Sequence, residues 1–326
     1  MFGLTRVELS VLATLQQSGE NKAGWSVVSL AGKMAVSCAQ VSRAVASLEK
    51  KEFVTAARSR QKLVQFSSAG HASAFLYLLG LHPHVDFVST LSNSSLRVLS
   101  AFTGSAIAIE QMARISRTPT VTVRRTVSKL MERGILVRQE KNQYQLALSG
   151  LQTFVQAYAT HSLQEKAGVD GLICCGPNAV LRTKTPIPRR FELTGVSIFY
   201  RFGVPIVQTD FQDYWFNLFD SKTKKPSLEE AVVHALVRST LISSGREVSY
   251  AMLVLYNNWK KVDQKQLLQT AQDYCIESDA RHCVNLVEKL VLGGRWPEPL
   301  VQGFRKVGGP RYPGFEEFQE LVTQYA

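Results

Sequence analysis

The sequence predicts an α+β fold, mainly α with small β: two tandem copies of one helical module, then an α+β C-terminal domain. Three observations carry this expectation. Residues 28–78 and 110–158 read as one module written twice, the run from Val41 to Val54 aligning on the run from Val123 to Leu136 with apolar positions coincident. In both copies a basic turn follows, then a short alternating strand, then a Ser/Gly step into another helix, at Phe66-Ser67-Ser68-Ala69-Gly70 and at Leu146-Ala147-Leu148-Ser149-Gly150. Beyond about residue 164 the pattern changes, so the expected domains are 1–82 and 83–164 for the copies, a connection over 165–190, and a C-terminal domain over 191–326.

In the first copy, Leu4, Val7, Leu9, Val11, Leu12 and Leu15 recur near helical spacing and predict a helix ending at Ser18-Gly19. Val27 to Met34 forms a second, shorter one. Ser37 is a good N-cap for a third, since its hydroxyl accepts from an otherwise unpaired first-turn amide. That helix buries Val41, Val45 and Leu48, spaced i, i+4, i+7. Phe53 to Ala56 then pairs with Leu63 to Phe66, leaving the basic tip from Arg58 to Lys62 projecting. Three helices and a hairpin with a cationic tip are the winged helix-turn-helix pattern. A helix from Ala72 to Leu81 closes the module or forms a dimer seam, and His82-Pro83-His84 breaks the chain.

The second copy repeats the plan. Its first helix starts at Leu96, its second at Ile109, and Pro119 introduces the third in a first turn that lacks no hydrogen bond for its missing N–H. Val123, Val127 and Leu130 are its buried positions. Gly134 suits the left-handed conformation that ends the helix, where the first copy has Glu52. The second wing, Arg138 to Asn142, is shorter and less basic.

In the C-terminal half, Gly171 to Cys175 reads as a short strand within the connection. Ile198 to Gly203 reads as a short helix closed by glycine, with strands at Val204–Val207 and Tyr214–Phe219. Ser227-Leu228-Glu229-Glu230 is a capping-box signature launching a helix through Leu241. Further helices are expected at 249–258, 263–276, 280–291 and 314–325.

Apolar residues make up 45% of the chain and charged ones 20%, an ordinary globular balance. The longest apolar runs, such as Ala251 to Tyr256, fall far short of the roughly 20 residues of a membrane span. The N-terminus lacks the order of a signal peptide, so a cytoplasmic protein with no membrane partner is expected. Charge divides unevenly: residues 1–164 carry 18 Lys+Arg against 8 Asp+Glu, whereas residues 165–326 carry 20 against 18. The basic excess sits on the repeats, which favours a polyanionic partner. Five cysteines, an odd number without CxxC spacing, are expected as buried reduced thiols. His282-Cys283 with Cys275 is assigned to core packing, and neither metal nor cofactor is expected.

In a helix-turn-helix the third helix enters the major groove, so candidate DNA contacts lie on its outward face. They are Ser37, Gln40, Ser42, Arg43 and Ser47 in the first copy, and Thr120, Thr122, Arg124, Arg125 and Ser128 in the second. Arg pairs with guanine and Gln with adenine, whereas Ser and Thr more often anchor phosphates. Arg58, Arg60, Lys62, Arg138 and Lys141 are wing candidates for phosphates or the minor groove. No catalytic motif is found, so no enzyme is expected. Asp210, Asp213 and Asp220 are read as surface acids rather than a magnesium site, and His234 as a hydrogen-bonded core histidine.

Residues 1–160 resemble tandem winged helix-turn-helix domains of the MarR-like kind found in prokaryotic transcription regulators. Residues 191–290 are similar to the C-terminal domain of AbiEi-type antitoxins through Phe191 to Ser197, Tyr200-Arg201-Phe202-Gly203, and Pro226 to Leu236. That second resemblance implies self-repression of an operon and pairing with a nucleotidyltransferase toxin. The function expected is therefore a sequence-specific double-stranded DNA-binding transcription regulator, a repressor, with recognition helices near 38–51 and 120–133. The C-terminal domain serves dimerisation, partner binding or effector sensing. The alternative is an antitoxin-like protein-interaction module holding a toxin-like partner, and a homodimer is a further possibility.

Overall fold

The fold is α+β, with helices carrying small antiparallel sheets. The structure, a computed structural model, describes residues 2–17, 24–58, 62–140, 142–169, 171–184, 191–206, 210–220, 224–242, 246–293, 304–305 and 310–325. Two compact units divide the chain, Met1–Lys166 and Ala167–Ala326.

In the first unit, α1 (Arg6–Gln16) starts at a capping box in which Thr5 and Glu8 bond each other's backbone N–H. β1 (Trp25–Ser26) leads into α2 (Val27–Met34), and α3 (Cys38–Lys50) follows from Ser37, again with a capping box, here to Gln40. β2 (Val54–Arg58) and β3 (Lys62–Phe66) make the hairpin, with Val54 opposite Phe66, and β1 joins the far side of β3. α4 (Gly70–Leu81) completes this half.

The second half has α5 (Phe87–Thr90), α6 (Asn93–Leu99), β4 (Ile107–Ala108), α7 (Ile109–Ile115), α8 (Thr120–Glu132), β5 (Leu136–Arg138), β6 (Gln143–Leu146) and α9 (Leu151–Ala167). An offset of 82 residues carries Trp25 to Ile107, Cys38 to Thr120 and Lys50 to Glu132, and the strand order β1-β3-β2 recurs as β4-β6-β5. The expected first helix at Leu96 begins earlier, at Asn93, and is preceded by the separate turn of α5. Pro119 sits at the N-cap rather than inside the first turn, its carbonyl accepting from Val123.

The helix ends repeat as well. Phe53 N donates to Leu48 O and Glu52 N to Glu49 O, while Ile135 N donates to Leu130 O and Gly134 N to Met131 O. This is the Schellman pattern, which requires a left-handed residue: Glu52 has φ 57° and Gly134 has φ 67°. The same left-handed stop falls between the second and third helices at Ala35 and Arg117, with φ 51° and 50°.

One cluster of buried side chains runs through both halves. Val41, Val45 and Leu48 lie in it, as do Val123, Val127 and Leu130, all at most 2% exposed. The stripes close it because residues three and four apart share a helix face. α9 reaches back to the first half, where Tyr158 OH accepts from Gly3 N and donates to Gly3 O, at 3.1 and 3.2 Å.

The second unit is built on the sheet β7-β8-β10-β9: β7 (Ile173–Cys175), β8 (Asn178–Thr183), β9 (Glu192–Leu193) and β10 (Gln212–Asn217). The segment expected as a connection thus supplies two strands. Ala179, Val180 and Leu181 are buried there, a strand too short to stand out among the surrounding Gly and Pro. A 3-10 helix, Gly195–Phe202, ends at Gly203, which has φ 80°. Val204–Ile206 forms no strand, and Val207 lies outside the described residues. Pro205 has no N–H to give a ladder there, and Val204 N instead closes the 3-10 helix on Phe199 O.

α10 (Leu228–Ile242) carries the expected capping box, with Ser227 N donating to Glu230 Oε2 and Glu230 N to Ser227 Oγ. α11 (Arg246–Asn257), α12 (Gln264–Asp273), α13 (Glu277–Val291) and α14 (Phe315–Tyr325) complete the unit, with the short pair β11 (Phe304–Arg305) and β12 (Arg311–Tyr312). Among the described residues no helix is long and apolar enough to cross a membrane.

Candidate nucleic-acid interface

α3 and α8 each bury one stripe and leave the opposite face exposed. On α3, Gln40, Ser42 and Arg43 are exposed, and on α8 Thr122, Arg124, Arg125 and Ser128. The offset that superposes the halves carries Arg43 to Arg125, so both helices present an arginine at their sixth position. It also carries Ala39 to Val121, and Val121 is 61% exposed. Small apolar groups beside an arginine suit a thymine methyl next to a guanine edge.

Several predicted contacts have local partners. Ser37 and Gln40 are exposed but hold each other in the capping box at 3.3 Å. Arg43 Nε reaches Ala39 O at 3.3 Å, along its own helix. Arg124 stands 3.8 Å from Glu110, both exposed, and Ser128 Oγ donates to Glu132. Among the described residues Arg125 makes no ion pair or hydrogen bond. Thr120, the first residue of α8, is half-buried.

Ser47 is a correction. It is half-buried and hydrogen-bonds Glu8, because its position in the last turn of α3 faces α1 rather than solvent. Lys51 Nζ lies 2.6 Å from Glu8 Oε1 in the same buried place. Burial pushes the Glu8 carboxyl up, but the hydrogen bonds from Lys51, Ser47 and Thr5 more than reverse this and hold its pKa below the usual value.

In the first wing one cation is already paired within the protein. Lys62 Nζ is 2.6 Å from Glu49 Oε2 on α3, both about two-thirds buried, so its charge is largely answered within the protein. Arg58 ends β2 and Arg138 ends β5, the latter exposed. Arg60 and Lys141 lie outside the described residues. In the second wing Asn142 adopts φ 63°, a conformation Asn tolerates, and Gln139 N closes the turn on Gln143 O.

Sequence reasoning missed the turn ahead of α8. Arg97 Nε and NH2 donate to Ser116 O and Arg117 O at 2.7 and 2.8 Å, and Arg117 is exposed beside Arg114. The pair Arg114 and Arg117, three apart just before a predicted recognition helix, was the available signal.

Among the described residues no three or more His, Cys, Asp or Glu side chains gather as a metal would need. Asp213, expected at the surface, is buried and takes a bidentate pair from Arg182 at 2.6 and 2.8 Å, while Arg182 NH1 bonds Glu247 at 2.6 Å. Its alternate position in β10 turns it inward, where the guanidinium compensates its charge. Asp210 is exposed, 3.4 Å from Lys184. His234 is buried against Trp215, with Nδ1 2.6 Å from Thr194 Oγ1 and Nε2 2.9 Å from Tyr274 OH. Burial lowers its pKa to about 3.

The thiols also depart from expectation: Cys283 is buried, Cys174 and Cys175 are half-buried, and Cys38 and Cys275 are exposed. Cys38 is exposed because it opens α3 ahead of the buried stripe, and Cys275 because it occupies a left-handed turn.

Residues 4–61 match the model of the MarR family, from the start of α1 into the first hairpin. Residues 188–326 match the family model HVO_2833_C, described only as C-terminal. Comparison with curated proteins found no match, and comparison with solved structures found none. The MarR match supports a DNA-binding transcription regulator at the level of that family. The second match attaches no activity to the C-terminal unit.

Proposed function

We propose that this chain is a sequence-specific, double-stranded DNA-binding repressor that inserts α3 and α8 into the major groove. The observation that carries this reading is the pair of exposed faces centred on Arg43 and Arg125, equivalent positions on two helices of which the first lies in the MarR match. Arg43 and Arg125 donate to guanine edges. Ser42, Thr122, Arg124 and Ser128 meet bases or phosphates around them. Ser37, Gln40 and Thr120 bring helix starts to the backbone, where N–H groups favour phosphate. Arg58, Arg60, Arg138 and Lys141 place wings against phosphates or the minor groove.

The chain acts without catalysis, and its C-terminal unit serves dimerisation, a protein partner or an effector. Selection of bound duplexes from a random pool, followed by anisotropy at physiological salt, tests the reading. A selected sequence bound at least roughly a thousandfold above unrelated DNA is expected. Only micromolar, sequence-indifferent binding that vanishes with salt would overturn it.

A further inference from the structure

We infer that a single chain reads a bipartite, non-palindromic duplex of fixed half-site spacing, an inference that rests on the proposed regulator reading. The first argument is mechanical. The two candidate reading helices are not joined by a tether; they stand on one continuous cluster of buried side chains. Phe53, three residues past the end of α3, packs edge-on to Phe154 and Tyr158 of α9, with ring centroids 6.3 and 4.9 Å apart. His71 of α4 stacks on His161 of α9 at 4.1 Å. At the other end His82 Nε2 meets Ser149 O at 2.9 Å, and a Cβ added at Gly150 would touch Leu81 at 3.4 Å. α4 and α9 therefore belong to both halves at once, and a close-packed core transmits displacement rather than absorbing it. The separation of α3 from α8 is set by this core.

The second argument is chemical. The halves agree at Arg43 and Arg125, and disagree around them. Gln40 corresponds to Thr122 and Ser42 to Arg124, while Gly32 and Ala35 in the first turn region correspond to Arg114 and Arg117 in the second. In sequence the first hairpin has the more basic tip, with Arg58, Arg60 and Lys62 and no acid, against Arg138 and Lys141 with Glu140 in the second. Two half-sites read this way share one base pair and differ beside it, so the site has a direction. A two-fold homodimer imposes a palindrome, because identical surfaces face both halves. One chain with unequal heads does not.

The test uses the full chain and the duplex selected from a random pool. Mass photometry should count one chain per duplex. Inserting about 5 bp between the halves turns one half-site to the far side of the helix and should weaken binding at least ~10-fold. Arg43→Ala and Arg125→Ala, both surface changes, should each relax one position, in opposite halves of the site, and Arg43→Lys should relax the same position as Arg43→Ala. Two chains on a palindrome, tolerance of the insertion, or relaxation of the same half by both variants would overturn this inference alone. Selection of no sequence at all would overturn the regulator reading, and this inference with it.

Discussion

Lys51 Nζ stands 2.6 Å from Glu8 Oε1 where both side chains are nearly buried, and it ties the cap of α3 to the first turn of α1. In the second half Arg133, at the same cap of α8 but exposed, reaches the hydroxyls of Ser89 and Thr90, the latter at 2.8 Å. These cations belong to the scaffold. Removing one partner of a buried pair leaves the other charge uncompensated, so Glu8→Ala should lower unfolding free energy by about 3 kcal/mol in urea titrations. Because the folded Glu8 pKa is depressed, its contribution is present above the unfolded value near 4.5 and fades as pH falls through the lower folded value. The difference between wild type and Glu8→Gln should shrink over that acidic window. A difference independent of pH would contradict the assignment.

Glu52 and Gly134 occupy the same left-handed position, and only one of them suits it. Glu52→Gly should stabilise the protein by about 0.5–1 kcal/mol, while Gly134→Ala should destabilise it by about 1 kcal/mol. An added Cβ at Gly134 meets nothing within 4 Å, so backbone strain is the whole of the second effect. Thermal melts of the two variants moving in the same direction would refute this.

Glu49 draws Lys62 onto α3. Glu49→Gln should release that ammonium to the phosphates, tightening DNA binding about 2–5-fold and steepening its salt dependence by close to one counterion. Anisotropy across a salt series reads both quantities. A flat response would mean that this hairpin stays away from the duplex.

His234 should remain neutral well below the range of an ordinary imidazole, since burial lowers its pKa to about 3. An unfolded histidine protonates near 6.5, so the unfolded state gains protons first. Stability from this residue is full above that value and falls between about 6.5 and 3, by up to roughly 1.4 kcal/mol per pH unit. Imidazole nitrogen shifts in an NMR titration should show no protonation of His234 down to about pH 4. Titration near 6.5 would place it in solvent.

What the sequence made legible were the periodic and local features. The Val41/Val45/Leu48 stripe, its copy, the Ser37 and Ser227 caps and the glycine stops at 134 and 203 each depend on residues a few positions apart. Contacts between distant residues left no such mark. Nothing local to Lys62 or Ser47 announces Glu49 or Glu8, so in sequence both read as facing outward. β8 leaves no mark in the sequence because a buried strand shows no alternation, and Ala179 to Leu181 is only a brief apolar run. Asp213 reads as a surface acid in the sequence because Arg182, the partner that compensates it, lies 31 residues away.

The sharing of Phe53, Phe154 and Tyr158 decides what can be cut from this protein. A truncation after residue 82 would look natural at the level of the repeat, yet it strips from Phe53 the rings of Phe154 and Tyr158, leaving those of His71 and Phe75, and from Gly3 both of its bonds to Tyr158. Such a fragment would expose aromatic side chains beside the end of α3 and is expected to aggregate or be degraded. The first half is therefore expected to fold only together with α9.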